Sequence, residues 1–101
     1  GVEVLIAGDY LVDFELLLKL LRERDIKSLM VEGGSSINWE LCKIKAVNEV
    51  RIIHLPVIVG GENVPTLVGG EGFKMLNNII HLRLRSHFKR GYHLITEWEV
   101  V

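Results

Sequence analysis

Residues 29–39, LMVEGGSSINW, constrain the fold more than any other stretch of the chain. The apolar run 29–31 has no polar alternation, the pattern of a strand covered on both faces, as in a parallel sheet. Glu32 ends it, Gly33 and Gly34 turn the chain, and a helical pattern begins near Ser35 or Ser36. At a helix start the first N–H groups lack partners within the helix, and the peptide dipoles place partial positive charge there. Glycines just before such a start let an anion approach the main chain without meeting a Cβ. The stretch has two readings at this point: an anion site, or a tight strand-to-helix turn with Ser36 as N-cap. The full GxGxxG fingerprint is absent.

The neighbouring segments place this turn in a sheet. Residues 2–7 (VEVLIA) read as a first strand closed by Gly8 and Asp9. Asp13 then precedes Phe14, Leu17, Leu18 and Leu21, the i, i+3, i+4, i+7 spacing of one helical face. Strand, amphipathic helix, strand is a βαβ unit with a right-handed crossover. Glu32 therefore falls at the carboxyl end of a parallel strand, the edge where ligands bind in open α/β sheets. The second helix is expected at about 36–44, with Ile37, Leu41 and Ile44 on one side and Cys42 packed as a small hydrophobe.

Residues 49–59 (EVRIIHLPVIV) read as the longest strand, with Pro56 marking a bulge or a position without a ladder partner. The loop 60–73, GGENVPTLVGGEGF, is long for a compact domain: it is functional, ordered by a partner, or a mobile flap. The chain closes with a hairpin in which Ile80, Leu82, Leu84 and Phe88 alternate with His81, Arg83, Arg85 and His87. After a turn at 89–91, Tyr92, Leu94, Trp98 and Val100 alternate with His93, Glu97 and Glu99. Arg83 and Arg85 can then pair with Glu97 and Glu99, which makes this basic cluster a solvated face. The expected fold class is α/β: a partly parallel sheet with βαβ crossovers and a C-terminal antiparallel hairpin, residues 1–101 forming a single, partial domain.

Composition removes several function classes. Twelve Lys and Arg against thirteen Asp and Glu leave a net charge of −1 with no like-charge block, so neither nucleic acid nor a membrane surface is expected as partner. Cys42 is the single cysteine, which excludes an internal disulfide and any CxxC metal pair. No signal sequence or membrane-length apolar run is seen, so the cytoplasm is the expected compartment. The chain begins at Gly1 without a methionine, as a processed, trimmed or engineered piece would. His54, His81, His87 and His93 lack metal-ligand spacing, and no metal is expected. Ser35 and Ser36 have no GxSxG elbow around them and read as capping or phosphate contacts, not nucleophiles.

The segments VEVLIAGDYLVDF, IKSLMVEGGSSINWEL, VNEVRIIHLPVIVGG and PTLVGGEGF, taken together, resemble the C-terminal half of the pyrimidine reductases of riboflavin biosynthesis, of the dihydrofolate-reductase-like fold. That resemblance implies an NADPH-dependent enzyme reducing the ribosylamino group of a (di)aminopyrimidine 5′-phosphate to ribitylamino, commonly as a homodimer. It points to Glu32 as the substrate contact. It points to Gly33, Gly34, Ser35, Ser36, Ile37 and Asn38 along NADPH, with Val12 also lining the cofactor. It assigns no catalytic proton donor. The family's N-terminal half, which supplies part of the pocket, has no counterpart in these residues, so a fragment inactive alone is one expectation. A non-catalytic dimerisation or assembly module derived from the same fold is the other, resting on an uncovered sheet flank and the glycine-rich loop.

Overall fold

The computed structural model describes residues 1–101, which fall into two compact units, Gly1–Gly33 and Gly34–Val101.

The first unit holds helix α1, Phe14–Glu23. It starts where its cap predicts: Asp13 Oδ1 accepts from the Leu16 N–H at 3.1 Å, one of the donors left free at a helix start. The Asp13 N–H donates to the Ala7 carbonyl at 2.9 Å, closing the turn before the helix. Phe14, Leu17, Leu18 and Leu21 are half-buried, while Glu15 and Lys19 stay exposed, as the spacing requires. At the far end the Ile26 and Asp25 N–H groups donate to Leu21 and Arg22, a Schellman ending. Its left-handed position is filled by Asp25 at φ 61°, where glycine carries no Cβ penalty. Replacing exposed Asp25 with glycine is expected to stabilise the protein by about 0.5–1 kcal/mol, read as a raised midpoint in thermal unfolding.

The parallel strands expected on either side of α1 are absent. Neither 2–7 nor 29–31 forms a strand, and no βαβ crossover is present. Val2 is 91% exposed, and Ile6 and Met30 are each 81% exposed. An unbroken apolar run specifies a segment suited to burial on two faces; it does not name the strand it pairs with, and no ladder forms on these two.

The second unit contains α2 (Ser35–Lys43), β1 (Glu49–His54), a 3₁₀ turn (Leu76–Asn78), β2 (Leu82–Arg90) and β3 (His93–Val100). The three strands form one antiparallel sheet in the order β1-β3-β2. The expected hairpin is present, its turn falling at Gly91 and Tyr92 with Gly91 at φ 64°, as a two-residue hairpin connection demands. The strand expected over 49–59 ends at His54, short of Pro56, which has no N–H to continue a ladder.

Strand β2 carries one extra residue, Arg85, between the pairs Leu84↔Trp98 and Ser86↔Glu97. Before this bulge Leu82 and Leu84 share a face with Trp98; beyond it Phe88 pairs with Ile95 on the opposite face. The continuous alternation expected along β2 is thus re-phased halfway. Arg83 pairs with Glu99 at 2.5 Å as expected, but Arg85 reaches Glu49 at 2.5 Å and Glu97 accepts instead from Ser86 at 2.8 Å. The buried set is small: Trp39, Leu41, Ile95 and Thr96. The Thr96 hydroxyl accepts from Trp98 Nε1 at 2.9 Å and is bonded to His54 Nε2 at 3.1 Å, so this buried polar group is satisfied.

Candidate functional site

Helix α2 begins one residue earlier than expected, and Gly34, not Ser36, is its N-cap. Ser36 stands inside the first turn, so its side chain is not in capping position. Gly33 takes φ 108°, a left-handed conformation that a residue with a Cβ rarely adopts, and this lets the chain turn into the helix. Gly34 offers no side-chain acceptor, and no acidic residue stands in the first turn. A Cβ built on Gly34 would meet nothing within 4 Å. Asn38 N–H closes the first intrahelical bond to the Gly34 carbonyl at 3.0 Å, so the donors that precede it in the first turn have no intrahelical acceptor. Lys43 sits in the last turn, complementing the dipole at the other end. The donor set is therefore suited to a phosphate group, and its approach is open.

The six consecutive residues assigned to the cofactor do not share one environment. Ser36 and Ile37 are exposed, whereas Ser35 and Asn38 are half-buried against the glycine-rich loop. The Ser35 carbonyl accepts from the Gly69 N–H at 3.0 Å, and the Asn38 side-chain amide donates to the Leu67 carbonyl at 2.8 Å. Glu32 and Val12 belong to the first unit and both are solvent-exposed. The loop residues Leu67, Gly69 and Gly70 were not picked out individually by the sequence, although the glycine pair in PTLVGGEGF was the signal for them.

Two further features take on structural roles. A concavity of about 440 Å³ lies beside Trp39 and Phe73 and is lined by Lys43, Lys45 and Lys74. Two of these cations are already engaged. Lys43 pairs with Glu40 at 3.0 Å; Lys45 donates to the Asn78 carbonyl and lies 4.2 Å from the Phe73 ring centre. Burial pushes the Cys42 thiol above its ordinary pKa, with the Lys45 charge opposing in part, so the thiolate is disfavoured and the residue packs as a hydrophobe. No helix is long and apolar enough to cross a membrane.

Comparison with known proteins extends this geometry. The family described as the RibD C-terminal domain matches residues 2–96. The 2,5-diamino-6-ribosylamino-4(3H)-pyrimidinone 5′-phosphate reductase of Aquifex aeolicus is 71% identical over 101 residues, all of this chain and 45% of that protein. The reductase of the same name from Methanothermobacter thermautotrophicus is 42% identical over 98 residues, with 97% of this chain and 45% of that protein covered. Riboflavin biosynthesis protein RibD of Actinobacillus pleuropneumoniae is 36% identical over 103 residues, covering this whole chain and 27% of its own. The chain thus spans less than half the length of these relatives. Among solved structures, a pyrimidine reductase-like protein from Corynebacterium diphtheriae superposes with a TM-score of 0.82 at 21% identity, covering this whole chain and 40% of the other, which is a likeness of fold.

Proposed function

Because the chain belongs to the RibD C-terminal domain family, we propose that it is part of a reductase domain that reduces 2,5-diamino-6-ribosylamino-4(3H)-pyrimidinone 5′-phosphate with NADPH, in the cytoplasm. The observation that carries this reading is the 71% identity, over every residue, to a reductase named for that substrate. It also favours the still-aminated pyrimidine, an alternative that residues 1–101 alone leave open.

The chain's own residues divide the work as follows. Gly33 and Gly34 bring the main chain round without a side chain in the way, and the first-turn N–H groups of α2 receive a cofactor phosphate. Ser36 and Ile37 present the exposed side of that turn. Glu32, one residue before the glycines, accepts hydrogen bonds from the substrate; its exposed carboxylate has the acceptor capacity for this. For Val12, in the other compact unit, a place along the cofactor rests on the family resemblance alone. When bound, NADPH supplies a hydride to the carbon of the ring-opened ribose imine. Protonation of the imine nitrogen completes the ribitylamino product.

Titrating the intact protein with NADPH, and separately with NADH, while following the amides of residues 32–38 by NMR tests the cofactor assignment. Shifts concentrated there support it; unshifted amides at saturating NADPH overturn it. In the same assay Glu32→Gln is expected to weaken pyrimidine binding about tenfold and NADPH binding less than twofold, through the loss of a charged acceptor. Equal loss of both ligands counts against this division of roles. The reading also carries a homodimer; the exposed apolar side chains of Val2, Val4 and Ile6 suit burial either against a second copy or against the part of the domain that the longer relatives add. Sedimentation of the intact protein as a monodisperse monomer at micromolar concentration would remove it.

A further inference from the structure

Three residues of α2, at positions 35, 38 and 39, are held by one short segment of the glycine-rich loop. Gly69 N–H binds the Ser35 carbonyl at 3.0 Å, and the Leu67 carbonyl receives the Asn38 amide at 2.8 Å. Phe73 meets the Trp39 ring edge-on, 5.0 Å between centres at 65°. Positions i, i+3 and i+4 lie on one side of a helix, so the loop grips a single face and leaves Ser36 and Ile37 on the open side. The closest approach is at Gly70. A Cβ there would stand 1.9 Å from Trp39 Cδ1, at a residue whose φ is 73°.

We propose that residues 67–73 form a brace that fixes the first turn of α2, with Gly70 and Asn38 as positioning residues, and that only Ser36 and Ile37 of that turn's side chains face the cofactor. This rests on the reading of the α2 start as the cofactor site and sharpens it. In this arrangement Asn38 serves the cofactor site through the helix, one N–H of its amide being held by the Leu67 carbonyl. The glycine-rich loop is then neither a free flap nor a ligand contact. It acts through the helix, by keeping the donors of the first turn aimed in one direction.

The loop contains its own control. Gly72 has φ 77°, close to that of Gly70, but a Cβ on it meets nothing within 4 Å. Gly70→Ala and Gly72→Ala therefore introduce the same backbone strain, and only the first introduces the clash with Trp39. Both are made in the intact protein, with Asn38→Leu as a third variant that keeps the branched side-chain shape, adds no charge and loses the donor to Leu67. The readouts are the amide shifts of residues 35–38 and the hydrogen-exchange protection of the Gly69 amide without ligand, the Kd for NADPH, and the Kd for the pyrimidine phosphate.

Gly70→Ala is expected to shift the 35–38 amides, to deprotect the Gly69 amide that donates to the Ser35 carbonyl, and to weaken NADPH about tenfold, with pyrimidine affinity within twofold of wild type. Asn38→Leu is expected to do the same about fivefold, and Gly72→Ala to leave 35–38 unchanged. If the wild type binds NADPH while Gly70→Ala and Asn38→Leu leave both the amides and the Kd unchanged, the brace is wrong and the cofactor reading stands. If the wild type fails to bind NADPH while the amides still respond to Gly70→Ala and not to Gly72→Ala, the brace stands and the cofactor reading falls. Equal effects of Gly70→Ala and Gly72→Ala would overturn the role of the Trp39 contact.

Discussion

Ser36→Glu is expected to weaken NADPH binding about a hundredfold while leaving the protein as stable as the wild type or slightly more so. Ser36 is exposed in the first turn of α2, where the N-cap is a glycine and no acidic residue is present. A carboxylate there interacts favourably with the positive end of the helix, a gain of about 0.3–1 kcal/mol. The same carboxylate stands beside the place proposed for a cofactor phosphate. Two like charges about 5 Å apart repel by roughly 3 kcal/mol at an effective dielectric constant near 20, which is the hundredfold loss. Added salt should restore part of the affinity by screening. Isothermal titration with NADPH and a thermal melt of the same sample read the two effects. An unchanged affinity would show that no cofactor phosphate lies at this turn.

Trp39→Ala is expected to cost about 3–5 kcal/mol, seen as a large fall in the urea midpoint. Trp39 is one of three buried hydrophobic residues and is only 7% exposed. Its ring contacts Phe73, and its edge fits against Gly70 with no room for a methyl group between them. Truncation removes a large buried surface and leaves a cavity that a glycine-rich loop has few side chains to fill. A typical domain has a total stability of about 5–15 kcal/mol, so the loss is a substantial part of the whole. The two substitutions at this contact should not add. Once the indole is gone, Gly70→Ala has nothing to strike, and the double variant should be destabilised by less than the sum of the single ones. Strict additivity would mean that the ring and the glycine do not interact.

What could be read in the sequence depended on how local the governing interaction is. Asp13 and the spacing of Phe14, Leu17, Leu18 and Leu21 are signals contained within one helix, and α1 forms where they place it. The hairpin is also local, and with it the pair Arg83 and Glu99 was legible. The runs 2–7 and 29–31 were misread as parallel strands because strand pairing is a relation between distant segments, and hydrophobic periodicity describes one segment at a time. The bulge at Arg85 escaped for a different reason. Leu84 and Phe88 keep an even spacing across it, so nothing in their order shows that they face opposite ways. In the candidate site the glycines of residues 33–34 announced the turn. The sequence could not show that Ser35 and Asn38 are held by loop residues some thirty positions later, since that contact depends on the tertiary path of the loop.

The order β1-β3-β2 also sets a sequence of events in folding. Strands β2 and β3 are joined through Gly91 and Tyr92, so their ladder closes a very short loop at little entropic cost. Strand β1 joins β3 only by closing the long segment between His54 and His93, and it has no ladder with β2 to guide it. The C-terminal hairpin is therefore the natural nucleus of the sheet, and β1 docks on a surface already assembled. The brace residues lie within that same long segment. Their contacts with α2 close a further loop of about thirty residues, an entropic cost separate from that of seating β1.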